Sequence, residues 1–250
     1  MTYLQEILRL LIDGLAQREK PFAVILAGHN GSGKSTMWYK HLSAIVRVPL
    51  VNADRMMLSI LPESSEEKPL PEWAVQIRDK HEGWMRVAQK GVEAFVAEAM
   101  AKKVSFAMET VFSDWRIDPE TGQILSKINK IHEIQKEGYF VVLLFVGLAD
   151  VQYSITRVES RVRNKKTPGH DVPIDKLISR FPRTQKAIRH AVTEADASVL
   201  VDNSRTPDKA FTVCRVQTKN DVVFDLRQIP NPPPPPEIEA WMSKVCPDVP

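Results

Sequence analysis

Apolar positions recur along this chain with two alternating periods, and the periods predict its elements. Leu4, Ile7, Leu8, Leu11, Ile12 and Leu15 fall at helical spacing, so residues 3–18 are expected to form an amphipathic helix that stops before Pro21. FAVILA (22–27) is a continuous apolar run between Pro21 and a glycine-rich stretch, which predicts a buried strand; MWYKHLSAI resumes beyond the glycines as a helix. PLVNAD (49–54) reads as a second buried strand ending in an acid, and LPESSEEKPLPEW (61–73) as an exposed loop. Ala88, Val92, Phe95, Val96 and Ala99 mark one face of a long helix that leads into a third strand, VSFAMET (104–110). A polar helix is expected around 121–137, closed by Gly138, and YFVVLLFVGL (139–148) has the strongest strand character and belongs at the centre of a sheet. From 150 to 195 the pattern is basic and helical, broken at KKTPGHDVP. ASVLVDNS (197–204) supplies another buried strand, and VCRVQTKNDVVFDL (213–226) alternates around Lys219-Asn220-Asp221 as an edge hairpin.

Strands of unbroken apolar character separated by helices predict an α/β fold of three layers, a mainly parallel sheet with helices on both faces. Ligands of such sheets bind at the carboxyl ends of the strands, and Gly28, Asp54, Glu109 and Asp202 all fall at or just beyond those ends. Gly28-His29-Asn30-Gly31-Ser32-Gly33-Lys34-Ser35 matches G-x-x-x-x-G-K-[ST] in full, after a strand and before a helix as the motif requires. Glycines let successive backbone N–H groups turn inward around a polyanion, Lys34 reaches the β- and γ-phosphates, and the Ser35 hydroxyl ligates Mg²⁺. The chain is therefore expected to bind ATP or GTP with Mg²⁺. His29 sits at a permissive position and is expected to contribute only backbone.

Length and composition narrow the class. A chain of 250 residues buries one core, so residues 1–229 are expected to form a single P-loop kinase-like domain with a lid at about 155–190 and the C-terminal hairpin; 230–250 form a tail of proline-rich spacer and short helix that returns Trp241 to the body. The five prolines 232–236 could instead dock an aromatic groove of a partner. The net charge of +3 suits anionic ligands but falls short of a nucleic-acid binder's footprint. Two cysteines, Cys214 and Cys246, without metal spacing, and no signal or membrane-spanning run, point to the reducing cytoplasm. LSGGQ and NKxD motifs are absent.

AGHNGSGKST, VNADRM, METVFS, RVESRVRNKKTPGHDVPIDKLISRFPRTQKAI and VDNS together resemble the zeta-toxin-like P-loop kinases over roughly residues 20–205, and most closely the branch of that family without a settled substrate. The best-known members phosphorylate the 3′-hydroxyl of the sugar of UDP-N-acetylglucosamine with ATP, and small helical antitoxins often neutralise them. The resemblance implies that Asp54 accepts the proton of the acceptor hydroxyl, with helix capping as its competing role. It implies that Glu109 contacts the acceptor or organises the metal, with Arg55, Thr110 and Ser113 as further acceptor contacts. Zeta toxins proper carry an arginine near Ser113, which this chain lacks. Thr36 extends the nucleotide-binding run. Arg157 and Arg161, four apart, and Arg180 and Arg183, three apart, can each converge on phosphate from a helical lid, and Arg163 lies nearer the GHDVP turn. His170 is a candidate hinge residue, Asp171 and Pro173 fit a helix start, and Asn203 is a candidate adenine contact. An antibiotic or polynucleotide hydroxyl as acceptor, or a non-catalytic nucleotide-dependent binding module, stays open.

Overall fold

The computed structural model describes residues 2–17, 19–65, 67–163, 172–219 and 221–247. Helix α1 (Tyr3–Gln17) buries Leu4, Leu8 and Leu15 and leads into β1 (Phe22–Gly28), every residue of which is buried. The phosphate loop follows, then α2 (Lys34–Met37), which passes through one π-helical turn (Trp38–Leu42) into α3 (Ser43–Val46). Next come β2 (Leu50–Val51), α4 (Ala53–Ser59), α5 (Glu72–Lys80), α6 (Glu82–Ala101) and β3 (Phe106–Thr110). A hairpin of β4 (Trp115–Ile117) and β5 (Ile124–Ser126) precedes α7 (Ile128–Lys136), β6 (Phe140–Gly147), α8 (Val151–Arg163), α9 (Ile174–Glu194) and β7 (Ala197–Asp202). Strands β8 (Thr212–Thr218) and β9 (Val222–Asp225) and helix α10 (Pro236–Val245) complete the chain.

The main sheet has seven strands in the order β2-β3-β1-β6-β7-β8-β9. The first five are mutually parallel; β8 and β9 add antiparallel at the edge, where the alternating segment 213–226 is expected. Strand β6 is central, as its apolar run predicts, and its side chains feed two cores. One face packs α6, α7, α9 and α10 through residues such as Val96, Ile131, Ile188 and Trp241; the other packs α1 and the helix after the phosphate loop through Leu8, Trp38 and Leu42.

Three expectations are corrected. PLVNAD is not a strand through its acid: only Leu50 and Val51 pair, because Asn52 already caps α4 and turns the chain into a helix. Residues 121–137 are not one helix. The Asp118 carboxylate accepts hydrogen bonds from the amides of Glu120 and Thr121, closing a turn that pairs β4 with β5 and delays α7 until Ile128. Phe95 lies off the buried face of α6 and is 39% exposed, while Val96 beside it is fully buried. The expectations for His170, Asp171 and the turn at Asn220 fall outside the described residues. Among the described residues no helix is long and apolar enough to cross a membrane.

Candidate active site

The phosphate loop lies at the carboxyl end of β1 between β3 and β6. Gly31 and Gly33 have φ of +70° and +90°, and Gly33 immediately precedes α2. Only glycine takes this backbone cheaply, and at Gly33 a Cβ would also stand 2.7 Å from the Asn203 amide nitrogen. That amide donates to the Ser32 carbonyl at 2.8 Å and holds the loop from behind. Asn203 thus ties the residue after β7 to the loop backbone.

Four side chains converge at the loop's mouth. The Lys34 ammonium donates to the carbonyls of Gly28 and His29 at 3.1 and 2.9 Å and stands 3.9 Å from Glu109 Oε1. The Ser35 hydroxyl lies 3.1 and 3.0 Å from the two Glu109 oxygens. Asn52 Nδ2 donates to Glu109 Oε2 at 2.7 Å, while Asn52 Oδ1 accepts from the Arg55 amide at 3.1 Å. One side chain thus ties the carboxylate of β3 to the start of the helix that carries Asp54. Burial pushes the Lys34 pKa down, the charges of Glu109 and Asp54 oppose that shift, and Arg161 adds to it. A buried ammonium beside the Glu109 carboxylate is poised to take a phosphate as a further counter-charge.

Asp54 occupies the second position of α4 rather than the end of β2. It is exposed, and its carboxylate accepts no hydrogen bond among the described residues. The capping role belongs to Asn52, which leaves Asp54 available for a ligand. Arg55 is exposed beside it, its guanidinium 4.6 Å from the Tyr39 ring centre. Thr110 Oγ1 accepts from the Phe112 amide at 3.4 Å, and Phe112 has φ of +63°, so the chain leaving β3 turns sharply and Ser113 lies beyond this turn, partly buried. Thr36 is exposed in the first turn of α2.

Helices α8 and α9 close over the loop. Ser154 Oγ donates to the Asn30 carbonyl at 2.7 Å, and a Cβ on Gly31 would sit 3.2 Å from Arg157 Cβ. Arg157, Arg161 and Arg180 are partly buried on this side. Burial lowers the pKa of Arg157, with Asp202 opposing, and burial followed by the charge of Arg183 lowers that of Arg180. Arg163 turns outward, 80% exposed and 3.4 Å from Glu159, and Arg183 is exposed with Nε bonded to the Ser179 carbonyl. His29 is more than a backbone residue: its ring is 2% exposed, stacks on Phe181 of α9 at 4.0 Å, and burial first, then the Lys34 charge, lowers its pKa to about 3.

Oxygen donors suited to a hard cation meet at Ser35 and Glu109, beside the lysine that would neutralise phosphate. Among the described residues no group of three His, Cys, Asp or Glu could hold a metal by itself, so a Mg²⁺ here would draw its remaining ligands from nucleotide and water. Asn52, Ser154 and Phe181 carry no site role in the sequence reading. An asparagine placed three residues before Arg55 at a helix start is an N-cap pattern and could have identified Asn52; nothing in sequence pairs Ser154 with Asn30.

The family model described as Zeta toxin matches residues 11–211. No curated protein matches the chain significantly in sequence. Among solved structures, the native AvrRxo1-ORF1:-ORF2 complex is 14% identical with a TM-score of 0.58, over 98% of this chain and 72% of that one. The same complex with ATP gives 14% and 0.57, over 99% and 71%. The PezAT chromosomal toxin–antitoxin system of Streptococcus pneumoniae is 14% identical over 85% of this chain and 80% of that one, with a TM-score of 0.49. The two AvrRxo1 likenesses show a common fold.

Proposed function

The chain belongs to the zeta toxin family, and on that premise we propose that it is an ATP-dependent kinase acting on a hydroxyl of a sugar or nucleotide-sugar, with UDP-N-acetylglucosamine as the first acceptor to test. The observation that carries this reading is the convergence of Lys34, Ser35, Asn52 and Glu109 at the mouth of the phosphate loop, with the unengaged carboxylate of Asp54 at the start of the adjoining helix. A protein that merely sensed nucleotide would need the loop but not two carboxylates beside it.

In this mechanism the loop amides and Lys34 hold the β- and γ-phosphates, and Ser35 and Glu109 would hold Mg²⁺. The ion, when bound, neutralises charge on the phosphates. Asp54 takes the proton of the acceptor hydroxyl as its oxygen bonds to the γ-phosphorus and the bond to the β–γ bridging oxygen breaks. Arg157, Arg161 and Arg180 gather around the charge on the migrating group from α8 and α9, and Arg55, Thr110 and Ser113 border the acceptor side. Arg163 and Arg183 reach this centre only if the lid helices rotate. That AvrRxo1-ORF1 forms a complex with ORF2 supports a protein partner as part of the same reading, and the cytoplasm supplies its ATP and keeps Cys214 and Cys246 reduced.

Incubating the protein with γ-labelled ATP, magnesium and UDP-N-acetylglucosamine, and in parallel with a metabolite extract, tests the proposal. Transfer to a small molecule is expected, and Asp54→Asn should abolish it by about 10²-fold or more while leaving ATP bound. Full transfer by Asp54→Asn would sink the base assignment, and binding without transfer to any acceptor would leave a nucleotide-dependent binding module instead.

A further inference from the structure

Two lines of contact run from the C-terminal helix to the phosphate loop. In the first, Trp241 of α10 stacks on Phe145 of β6 with ring centroids 6.1 Å apart and planes 19° apart. Phe145 meets the edge of the His29 ring at 5.7 Å, and His29 lies flat on Phe181 of α9 at 4.0 Å and 14°. The second line is polar. Trp241 covers Gly147, where any Cβ would overlap the indole. The Gly147 carbonyl accepts from the Asn203 amide N–H at 3.1 Å, and the Asn203 side chain donates to the Ser32 carbonyl. Both lines begin at one tryptophan and end on loop residues, His29 and Ser32. Trp241 lies beyond residue 211, where the family match stops.

The burial of His29 is costly, which gives the first line its force. Its Nε2 is buried without a hydrogen-bond partner among the described residues, a condition that is destabilising even for a neutral group. A loop position that needed only backbone would not carry a dry imidazole. The ring is flat, and it fills the gap between the sheet and α9 where an aliphatic side chain would stack on neither phenylalanine.

We infer that Trp241 and His29 are positioning residues for the phosphate cradle: α10 braces the loop through Phe145 and Gly147, and His29 passes that brace on to the lid helix α9 through Phe181. The other buried residues of α10 lack this connection. Ile238, Met242 and Val245 belong to the sheet-and-helix core, and none is in ring contact with the phosphate-loop residues. The inference rests on the kinase reading only in requiring that the loop bind nucleotide.

The test is calorimetric binding of ATP with magnesium to the full chain and its variants, below the melting temperature of each. Trp241→Leu and His29→Ala should each weaken affinity about three- to tenfold, the range that an aromatic contact supports. The double variant should be little weaker than Trp241→Leu alone, because that substitution already interrupts the line on which His29 lies. His29→Phe, which keeps the flat ring, should restore affinity. Ile238→Ala, in the same helix, should lower thermal stability and leave affinity unchanged. Unchanged affinity in Trp241→Leu, or equal weakening by Ile238→Ala, would overturn the inference and leave the kinase reading intact. Normal weakening in the variants with no acceptor ever phosphorylated would overturn the kinase reading and leave the brace in place.

Discussion

Asn52 does two things with one side chain: its amide nitrogen fixes Glu109 and its oxygen caps α4. Asn52→Ala is expected to lose about 1 kcal/mol of stability from the cap, by denaturant titration, and to lower kcat more than it raises KM for ATP, because Glu109 loses its orientation but the loop does not. His29 gives a pH signature. Its pKa falls from an ordinary 6.5 to about 3 on folding, so the unfolded chain binds the extra proton between those values. Its contribution is fully present above pH 6.5 and is lost as pH falls. Between pH 7 and pH 5 the native protein should lose about 2 kcal/mol more than His29→Phe, as read from urea midpoints at the two pH values. The loop, Lys34, Ser35 and Glu109 were legible because the motif and the strand period name them directly. What Asn203 and His29 touch, Ser32 and Phe181, is not legible, because it is set by tertiary packing that local sequence does not encode.

Elements of unmistakable period were readable to within a residue or two: α1, β1, β6 and β7 all match their apolar runs. The misreadings fall where two patterns overlap. Ile124, Leu125, Ile128, Ile131 and Ile134 carry helical spacing through a segment whose first half is strand, and the turn chemistry of Asp118 to Gly122 decided the outcome. In PLVNAD the strand-like run outlasts the strand because Asn52 caps α4. One junction between elements is testable directly. The Tyr139 hydroxyl stands 2.7 Å from the Ala99 carbonyl and 2.9 Å from the Val104 carbonyl, pinning the end of α6 to the approach to β6. Tyr139→Phe should cost about 1–2 kcal/mol by thermal or chemical unfolding and leave nucleotide affinity unchanged, since the contact lies at the opposite end of the strands from the phosphate loop.

For the molecule as a whole, the C-terminal segment is structural rather than appended. Arg215 donates to Asp225 at 2.8 Å and to the Pro247 carbonyl at 2.9 Å, Arg227 joins both, and Arg189 donates to the carbonyls of Ser243 and Cys246 at 2.7 and 2.8 Å. Burial alone would raise the Asp225 pKa, but the Arg227 hydrogen bonds and the charges of Arg227 and Arg215 outweigh it and leave it lowered. The stability from this carboxylate is therefore present above its ordinary 3.8 and disappears as pH falls through the lowered value. Asp225→Ala strips the partner from an arginine that is 3% exposed and should cost about 3–5 kcal/mol, read from the unfolding midpoint.

The position of α10 has a consequence for synthesis. Chains emerge amino end first, so β1 and the loop leave the ribosome long before Trp241 does. A nascent chain displays the finished motif while its backing is still unmade, and stalled ribosome-bound chains are expected to bind ATP about three- to tenfold more weakly until α10 has cleared the exit tunnel.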